Sequence, residues 1–593
     1  MFPCSAGGTE GATIRSRSGS WADQTEGQQA MKQPDLILLH PPVNYKFREL
    51  PIFYGPISIA VPSSSIFENY PVGFVTLSEY LNRHGISVRI VNLAMKMLLD
   101  SSFDPERFIA RLEPAAFGID LHWLPHVDGS LATAEAAKRL HPNTPVILGG
   151  LSATYYHREI MGDYPFVDFI LCGDSTEEPL RLLMEAIRRK GNYAAVPNLV
   201  WRDGQGNTVV NDNSFRPDTI DYVNFDCSHP LKMALKYRDP TGYLPFRNWL
   251  SNPLLAVFSS RGCVHDCAPC GGSKTAYRRV CGRERPAFRS PELLARDIRN
   301  AARYTGAPIM VINDILQAGE EYAERFLLEL KKSRIRNQVG FEFFHPPSAV
   351  FIRRIADSLE SYNVEISPES HDPRVRNAFG KSYGNAELEA AIEAFIGESR
   401  CRRLDLFFMV GLPHQDYRSV METAEYCGDL LRRYGGTKKL MPVIAPLAPF
   451  IDPGSRLFEE PERFGCRLFC RTLAEHRQAM LAPSWKLRLN YETDWMTRDD
   501  IVRATYDATL RLTDLKVAHG LMDEGEAEKI RRHIGMARDI MNRLEDGSLP
   551  DDSLKAELSR LNRFDSLSGK HELKWPVEGW RVNFVNLFRL LFG

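Results

Sequence analysis

Three cysteines lie within eight residues of one another near the middle of this 593-residue chain. They are Cys263, Cys267 and Cys270, and they form a CxxxCxxC motif. With eleven cysteines in the whole chain, chance would produce this spacing only about 0.004 times. Three thiolates on a cubane iron–sulfur cluster leave one iron open to a chelating ligand. The motif therefore predicts a [4Fe–4S] cluster with one iron available for chemistry.

Zinc is the competing metal for these thiols. A structural zinc site takes four ligands, usually as two separated pairs. No second CxxC or HxxxH pair accompanies the motif, and Cys466 and Cys470 form a lone CxxxC. His265 could be a fourth zinc ligand, but it lies inside the loop between two of the cysteines. We favour the cluster, and a non-catalytic iron–sulfur or zinc-binding protein is the alternative of another class.

Glycines and small hydroxyl residues follow two predicted strands in the N-terminal part of the chain. One such loop is Leu148–Thr154 and the other is Cys172–Glu178. Glycine lets the backbone approach a ligand closely, and the start of a helix attracts anions. Both loops therefore suit a phosphate or a nucleotide tail, although loops of this kind also serve simply as connections. The candidate ligand contacts are Gly149, Gly150, Ser152, Thr154, Gly173 and Asp174.

The elements that must position these residues alternate between strand and helix. Short apolar runs alternate with amphipathic stretches from residue 34 to about residue 189, which predicts an α/β domain with a doubly wound, Rossmann-like parallel sheet. Ligands of such sheets bind at the carboxyl ends of the strands. The segment Asn198–Val210 predicts a β-hairpin. The predicted strands are Asp35–Leu39, Val88–Asn92, Ala116–Ile119, Val146–Leu148 and Val167–Leu171.

A second alternating region runs from about residue 251 to about residue 455. Its repeated β-α units predict a full or partial (β/α) barrel, with the active site at the carboxyl ends of its strands. The cysteine motif directly follows the first of these strands, so it would lie at that catalytic edge. The predicted strands are Leu254–Phe258, Ile309–Ile312, Gly340–Phe344, Asn363–Ile366, Leu404–Val410 and Lys439–Ala445.

The remaining segments complete the expected organisation. Residues 1–33 are rich in Gly, Ser, Thr and Gln, which is typical of a disordered leader. We expect a domain over 34–200, a linker over 201–250, the barrel over 251–455 and a helical region over 456–593. The last residues, Trp580–Phe592, predict an amphipathic helix that docks on the body or touches a membrane surface.

Composition excludes several functions. The formal net charge is −1, which gives no electrostatic reason to expect nucleic-acid binding. No apolar run has the roughly 18–20 residues that span a bilayer. Cysteines spread through a long chain without a secretory signal predict reduced thiols and a cytoplasmic protein.

These motifs together resemble the cobalamin-dependent radical SAM enzymes. In that family a cobalamin-binding domain precedes a radical SAM domain, and CxxxCxxC follows the first barrel strand. The resemblance extends over about residues 34–455. It rests on the cysteine motif, on Tyr70–Phe74, on the two glycine loops, on Val364–Ser370 followed by Gly380-Lys381, on Val410–Pro413 and on Asn313-Asp314. Pro269 departs from the pattern, since an aromatic residue often precedes the third cysteine.

The resemblance implies roles for particular residues. S-adenosylmethionine would contact Asn313, Asp314, Glu369, Ser370, Gly411 and Pro413. The nucleotide tail of cobalamin would lie in the two glycine loops. The N-terminal part has no Asp-x-His-x-x-Gly, so the lower face of the corrin would be covered by Leu121, His122 and Trp123 rather than by that motif's histidine. His122 and His126 are the alternative cobalt ligands.

The resemblance also implies an activity. S-adenosylmethionine bound to the open iron would be cleaved to a 5′-deoxyadenosyl radical, and methylcobalamin could methylate an unactivated carbon or a phosphorus of the substrate. Radical cyclisation or rearrangement without methyl transfer is the runner-up. An electron donor such as flavodoxin or ferredoxin is an expected partner. Glu342 and His345, at the end of a barrel strand, are the candidate contacts to a small-molecule substrate.

Overall fold

The computed structural model describes most of the chain. Residues 34–593 form one compact unit by their contacts. The described residues are 33–50, 70–244, 246–247, 249, 253–446, 451–545, 552–553, 556–557, 575 and 583.

The N-terminal sheet is the predicted doubly wound sheet. Its strand order is β2-β1-β3-β4-β5-β6-β7; β1 to β5 pair in parallel, while β6 and β7 add an antiparallel hairpin at the edge. Strands such as β1, with the sequence LILLH, are buried along their whole length, because helices cover both faces. The strands are β1 (Leu36–His40), β2 (Val88–Asn92), β3 (Ala116–Asp120), β4 (Val146–Gly149), β5 (Phe169–Leu171), β6 (Leu199–Arg202) and β7 (Thr208–Val210).

The helices of this domain connect successive strands. The helix α7 shows why they form: Leu180, Leu183 and Met184 are buried on one face, while charged residues occupy the rest of its surface. The helices are α1 (Gly73–Arg83), α2 (Leu93–Leu99), α3 (Pro105–Ile109), α4 (Val127–Leu140), α5 (Leu151–Tyr155), α6 (His157–Asp163), α7 (Glu177–Arg189) and, in the connection to the next domain, α8 (Ser228–Lys236).

The second sheet is the predicted partial barrel. All its strands are parallel, and each pairs with the next strand of the same sheet along the chain. The order is β15-β14-β13-β12-β11-β8, because β9 and β10 form a separate pair. A small antiparallel pair, β9 with β10, follows β8. The strands are β8 (Leu255–Phe258), β9 (Ser260–Arg261), β10 (Ala287–Phe288), β11 (Ile309–Ile312), β12 (Val339–Phe343), β13 (Tyr362–Glu369), β14 (Cys401–Val410) and β15 (Leu440–Pro446).

Helices cover the outside of this sheet and bury a continuous apolar core against it. They are α9 (Lys274–Cys281), α10 (Pro291–Ala302), α11 (Glu320–Ser333), α12 (Ala349–Ser358), α13 (Pro373–Phe379), α14 (Asn385–Gly397) and α15 (Tyr417–Tyr434).

The C-terminal region is helical, as predicted, with one addition. Two strands that the sequence pattern did not reveal, β16 and β17, form an antiparallel pair; three residues each are too short for an alternating pattern to stand out. The elements are α16 (Arg456–Glu459), β16 (Cys466–Leu468), α17 (Leu473–Met480), α18 (Trp485–Arg488), β17 (Tyr491–Thr493), α19 (Arg498–Ala518) and α20 (Glu524–Glu545).

The predicted terminal helix Trp580–Phe592 lies outside the described residues, apart from Asn583. Among the helices that the structure does describe, none combines the length and the apolarity needed to cross a bilayer.

Candidate active site between the two sheets

The carboxyl ends of strands from both sheets line one cavity of about 540 Å³. A volume of this size is within the range of about 300–1,000 Å³ that is typical of ligand and cofactor sites. A smaller cavity of about 220 Å³ shares His122, Trp123 and Leu151 with it. From the N-terminal domain the large cavity is lined by Asp120, His122, Trp123, Gly149, Gly150, Gly173, Asp174 and Glu177, and from the barrel by Phe258, Ser260, Arg261, Tyr277, Ile312 and Asn313.

The cysteine loop follows β9 at this edge of the barrel. Cys263, Cys267 and Cys270 are partly exposed and form no disulfide. The backbone N–H of His265 donates to Sγ of Cys263 at 3.4 Å, and that of Gly272 donates to Sγ of Cys270 at 3.3 Å. Burial raises the pKa of the Cys263 thiol to about 12, so the free thiol stays protonated at neutral pH. A bound metal would reverse this, since coordination deprotonates a thiol outright.

Two backbone–backbone hydrogen bonds and one from backbone to a side chain hold the cysteine loop in place. The N–H of Ala268 donates to the carbonyl of Phe379 at 2.7 Å, and the N–H of Leu457 donates to the carbonyl of Ala268 at 2.9 Å. On the other side, the N–H of Gly271 donates to Oδ2 of Asp452 at 2.8 Å. The loop therefore has a defined shape without any metal ligand bond.

The thiols of the cysteine loop have the chemistry that an iron–sulfur cluster requires. Within the described ranges, no group of three or more His, Cys, Asp or Glu side chains is arranged to hold one metal ion. Three free thiols on one loop, two of which already accept backbone N–H bonds, match the ligand chemistry of an iron–sulfur cluster.

Asn313 and Asp314 directly follow β11, and Asn313 lines the large cavity. Asn313 has a left-handed backbone with φ 71°, its side chain donates to the carbonyl of Ser260 at 2.9 Å, and its N–H donates to Oε1 of Glu342. Asp314 accepts from the N–H groups of Leu316 and Phe344 at 2.8 and 3.0 Å. Burial nevertheless raises the pKa of Asp314 to about 7.

Glu369 ends β13 in a strained, left-handed conformation with φ 67°. Its carboxylate is 2% exposed; Oε1 accepts from Nζ of Lys381 at 2.6 Å, while Oε2 has no hydrogen-bond partner. The fully buried Arg376 holds the surrounding backbone by donating to the carbonyls of Ser370 at 2.7 Å and Pro368 at 3.2 Å. A free carboxylate oxygen on a rigid support can accept a hydrogen bond from a ligand.

The turn Gly411–Pro413 follows β14. Oε1 of Gln415 accepts the N–H of Gly411 at 2.9 Å, and Gly411 has φ 91°. A Cβ at Gly411 would lie 2.5 Å from the hydroxyl of Tyr491. That hydroxyl is buried and has no hydrogen-bond partner, so the C-terminal region contacts this turn through Tyr491, the first residue of β17.

Neither of the two candidate substrate contacts, Glu342 and His345, is among the residues that line the two cavities. Oε1 of Glu342 accepts the N–H of Asn313, and burial raises the pKa of Glu342. The ring of His345 lies against the ring of His265 in the cysteine loop, with centroids 4.5 Å apart, and against Tyr383 at 5.4 Å. Burial lowers the pKa of His345, which favours a neutral imidazole beside the cysteines.

The first glycine loop of the N-terminal domain touches the loop after β3, and the second glycine loop touches the first. A Cβ at Gly150 would lie 2.5 Å from Cα of His122, and both the N–H and the hydroxyl of Ser152 donate to the carbonyl of His122. The buried hydroxyl of Thr154 accepts the N–H of Gly173 at 3.0 Å. The glycines thus border the cavity, while Ser152 and Thr154 bind neighbouring backbone.

The loop after β3 forms one wall of both cavities. His122 and Trp123 line both, whereas Leu121 is fully buried and lines neither. His126 is also fully buried, and its ring lies 5.0 Å from that of His40. Burial lowers the pKa of His122. Of the two histidines considered as cobalt ligands, only His122 reaches the cavity.

Sequence reasoning missed the two arginines that bind the second glycine loop. Arg283 forms a bidentate ion pair with Asp174, with N–O distances of 2.6 and 3.0 Å. Arg261 forms another with Glu177, with N–O distances of 2.5 and 2.9 Å. The pairs join residues 109 and 84 positions apart in sequence, so no local pattern could have shown them. The only sequence signal was the position of Arg261, two residues before Cys263.

Comparisons with known proteins agree with this architecture. Residues 62–183 match the model of the B12 binding domain, and residues 257–427 match that of the Radical SAM superfamily. The hopanoid C-3 methylase of Methylococcus capsulatus is 26% identical over 275 residues, which are 46% of this chain and 47% of that protein. The matched part is thus about half the length of that relative.

Two solved structures share the fold. The radical S-adenosylmethionine methyltransferase TsrM from Kitasatospora setae, with cobalamin and a [4Fe–4S] cluster bound, has a TM-score of 0.55 and 13% identity over 83% of this chain and 90% of its own. The cobalamin-dependent S-adenosylmethionine radical enzyme OxsB, with aqua-cobalamin and S-adenosylmethionine bound, has a TM-score of 0.53 and 13% identity over 95% of this chain and 78% of its own.

The cysteine loop at the edge of a partial barrel, the facing parallel sheet and the two domain matches lead to one assignment. Residues 62–183 are therefore assigned to a B12 binding domain and residues 257–427 to a radical SAM domain, the pairing found in cobalamin-dependent radical SAM enzymes.

Proposed function

We propose that this chain is a cobalamin-dependent radical SAM methyltransferase that methylates an unactivated carbon, or a phosphorus, of a small-molecule substrate. The observation that carries the proposal is the shared cavity, whose walls come from the B12 binding domain on one side and from the radical SAM domain on the other. A methyl carrier and a radical generator must both reach the substrate, and a cavity between the two domains provides that meeting point.

Cys263, Cys267 and Cys270 would bind the [4Fe–4S] cluster through their thiolates. The Oε2 of Glu369 and the hydroxyl of Tyr491, both buried and without a hydrogen-bond partner, would accept and exchange hydrogen bonds with S-adenosylmethionine. Contacts with the same cosubstrate are proposed for Asn313, Asp314, Ser370, Gly411 and Pro413. When bound, these groups would supply one-electron reduction of S-adenosylmethionine by the reduced cluster, giving methionine and a 5′-deoxyadenosyl radical, and a methyl group carried on cobalamin.

The cobalamin contacts are proposed for the glycine loops and for the loop after β3. Gly149, Gly150 and Gly173 expose backbone to the cavity, and His122 and Trp123 would cover the lower face of the corrin. For Asp174 we propose contact through the backbone, because both carboxylate oxygens are occupied by Arg283. The side chains of Leu121, Ser152 and Thr154 would not contact cobalamin directly. They would hold the loops in shape, since they pack or form hydrogen bonds within the domain.

The carbon-methylating relative favours methyl transfer over the runner-up, radical cyclisation or rearrangement. The hopanoid C-3 methylase is named for methylation at carbon, and most of the residues around the large cavity are apolar. An apolar cavity favours a substrate whose reacting carbon has no acidic proton, for which a radical is the effective reagent. Glu342 and His345 would orient the polar part of that substrate, and an electron donor of the flavodoxin or ferredoxin class would reduce the cluster.

Anaerobic reconstitution tests the proposal. After addition of iron, sulfide and hydroxocobalamin, we expect about four irons and one cobalamin per chain. We further expect release of 5′-deoxyadenosine when S-adenosylmethionine and a strong reductant are added. Replacing Cys263, Cys267 or Cys270 with alanine should abolish both iron binding and 5′-deoxyadenosine release.

Cys427→Ala is the matched control, because Cys427 is a fully buried core thiol on α15 and its removal should leave the iron content unchanged. Bound zinc in place of iron, together with no 5′-deoxyadenosine under any reductant, would contradict the radical chemistry. Binding of the cluster without cobalamin would contradict the methyl-carrier part alone.

A further inference from the structure

Two arginines of the radical SAM domain form ion pairs with the second glycine loop of the B12 binding domain, which borders the cavity. We call this set the arginine clamp: Arg261 and Arg283 on one side, with Asp174 and Glu177 on the other. All four side chains are buried, with exposures of 14% for Arg261, 4% for Arg283, 5% for Asp174 and 2% for Glu177. Ion pairs this deep are far less screened by water than surface pairs.

Glu177 is held through both of its carboxylate oxygens. Oε1 accepts from Arg261 at 2.5 Å and from the hydroxyl of Thr76 at 2.8 Å; Oε2 accepts from Arg261 at 2.9 Å and from the hydroxyl of Tyr222 at 3.0 Å. Burial acts to raise the pKa of Glu177, but attraction and hydrogen bonds from Arg261 outweigh it and hold the pKa below the usual value. The carboxylate is therefore charged at neutral pH.

The second half of the clamp is built in the same way. Arg283 donates to both oxygens of Asp174, and its remaining nitrogen donates to the carbonyl of Pro217 at 2.9 Å. The hydroxyl of Ser175, which lies between the two acids in sequence, accepts from Arg261 and from Arg283, each at 3.2 Å. The two ion pairs consequently act on one rigid loop segment, residues 174–177.

Both arginines also contact the start of the cysteine loop. Arg261 is two residues before Cys263. Gly262, between them, has φ 92°, and a Cβ there would lie 3.2 Å from Cδ of Arg283. The first cysteine is thus connected to residues 174–177 in two ways: along the backbone to Arg261 and through its ion pair with Glu177, and through the packing of Gly262 against Arg283, which pairs with Asp174.

We propose that the arginine clamp couples cobalamin binding to assembly of the cluster, so that each cofactor strengthens the binding of the other. The inference rests on the proposed function, because it requires that both cofactors bind this chain. Arg261, Arg283, Asp174 and Glu177 are positioning residues here: they fix the distance between the loop beside Gly173 and the loop that begins at Cys263. Coupling free energies between two sites are reciprocal, and they typically change affinities by about 5- to 150-fold.

Cobalamin affinity with and without the cluster measures this coupling. The dissociation constant of hydroxocobalamin is determined by anaerobic ultrafiltration for the reconstituted chain and for a cluster-free chain in which all three cysteines are replaced with serine. In the wild type we expect the cluster-loaded form to bind cobalamin at least fivefold more tightly. In Glu177→Gln, made in both backgrounds, this ratio should fall to within twofold of one.

Reciprocity supplies a second readout of the same coupling. Saturating hydroxocobalamin should slow the loss of the cluster's visible absorbance to an iron chelator in the wild type, and it should not do so in Glu177→Gln. Tyr222→Phe removes a single hydrogen bond to Glu177 and should give an intermediate ratio, which keeps the test available if Glu177→Gln folds poorly. Arg261→Lys keeps the charge but not the paired geometry, so it should restore part of the coupling relative to Arg261→Met.

Asp297→Asn is the matched control for loss of a buried ion pair. Arg289 binds both oxygens of Asp297 at 2.9 and 3.1 Å, with exposures of 0% and 1%; Asp297→Asn keeps Arg289, which donates to the carbonyls of Ile220 and Val223 on either side of Tyr222. Loss of this pair should lower stability and leave the ratio of cobalamin affinities unchanged.

A wild type that binds both cofactors, but binds cobalamin equally tightly with and without the cluster, would overturn the inference. So would an unchanged affinity ratio in Glu177→Gln. A wild type that binds no cobalamin or no cluster would overturn the proposed function itself, and the inference with it.

Discussion

Position 150 requires a positive φ and the absence of a Cβ, and only glycine satisfies both. Its φ of 112° lies in the left-handed half of backbone space, and a Cβ would lie 2.5 Å from Cα and 2.6 Å from N of His122. Both neighbours are backbone atoms, so they cannot move aside as a flexible side chain could. The loops after β3 and β4 can therefore approach each other only because this residue has no side chain.

Gly150→Ala should separate these two loops and weaken cobalamin binding at least tenfold. Gly85→Ala is the control: Gly85 also has a positive φ, 75°, but a Cβ there would meet nothing within 4 Å. That variant should therefore cost only the backbone strain of about 1–2 kcal/mol and leave cobalamin binding intact. Hydroxocobalamin titrations of both variants provide the measurement. Equal affinities in the two variants would show that the contact with His122 does not shape the site.

The Lys381–Glu369 pair behaves as a buried ion pair, with exposures of 4% and 3%. Lys381→Met should leave an uncompensated carboxylate and lower the free energy of unfolding by about 3–5 kcal/mol. The double variant with Glu369→Gln should recover much of this loss, because no lone charge remains. Chemical denaturation of the cofactor-free chain measures both.

The exposed pair Arg325–Glu292, with exposures of 56% and 49%, is the comparison for this prediction. Arg325→Met should change the free energy of unfolding by less than about 1 kcal/mol, as is usual for surface ion pairs. If Lys381→Met also lowered the free energy of unfolding by less than about 1 kcal/mol, water would have to reach Glu369. The Lys381–Glu369 pair would then not hold the carboxylate rigidly.

At the scale of elements, the strands and their order follow from the alternating pattern, whereas the contacts between domains do not. The observed strands β2 and β11 coincide with the predicted ranges, and each other parallel strand begins or ends within a few residues of its prediction. Buried parallel strands have short, continuous apolar sequences, and these sequences allowed the strands to be predicted. The pair β16–β17 was missed because its strands are short, and the clamp because its partners are distant in sequence.

The helix α17 connects the C-terminal region to the N-terminal sheet domain through polar contacts. The N–H of Leu473 donates to Oε2 of Glu159 at 2.7 Å, and Arg477 pairs with Asp128 at 3.2 Å. His476, 2% exposed, bonds through Nδ1 to the carbonyl of Thr472 at 2.8 Å and through Nε2 to Asn490 at 3.2 Å. This arrangement suits the neutral imidazole, with the proton on Nδ1.

Protonation of His476 should therefore destabilise the fold in acid. Burial lowers the pKa of His476 from 6.5 to about 4, so between these values the unfolded chain binds a proton that the folded chain does not. Stability then falls as the pH drops from 6.5 to 4, by up to about 1.4 kcal/mol per pH unit. In His476→Gln the slope of unfolding free energy against pH should be flatter by about that amount. Parallel slopes for variant and wild type would assign the acid sensitivity to other groups.

At the scale of the whole molecule, one residue far along the chain, Trp575, packs against the barrel strands near the start of β12. Trp575, 8% exposed, donates from Nε1 to Oδ2 of Asp405 at 3.1 Å, and a Cβ at Gly340 would overlap its ring, at 1.9 Å. Asp405 lies in register with Glu365 and Glu342 on the neighbouring strands. One residue, more than 100 positions beyond the last barrel strand, thus fills the lower end of the barrel that carries the active site.

Graded replacement of Trp575 should separate its volume from its hydrogen bond. Trp575→Phe keeps most of the ring and loses only the bond to Asp405, which should cost about 1.5–3 kcal/mol because the acceptor is a carboxylate. Trp575→Ala also empties the space over Gly340 and should cost about 3–5 kcal/mol or more. Denaturant unfolding of the cofactor-free chain measures the two losses. If both variants were as stable as the wild type, the barrel would not depend on this residue, and closure would have to come from the barrel's own side chains.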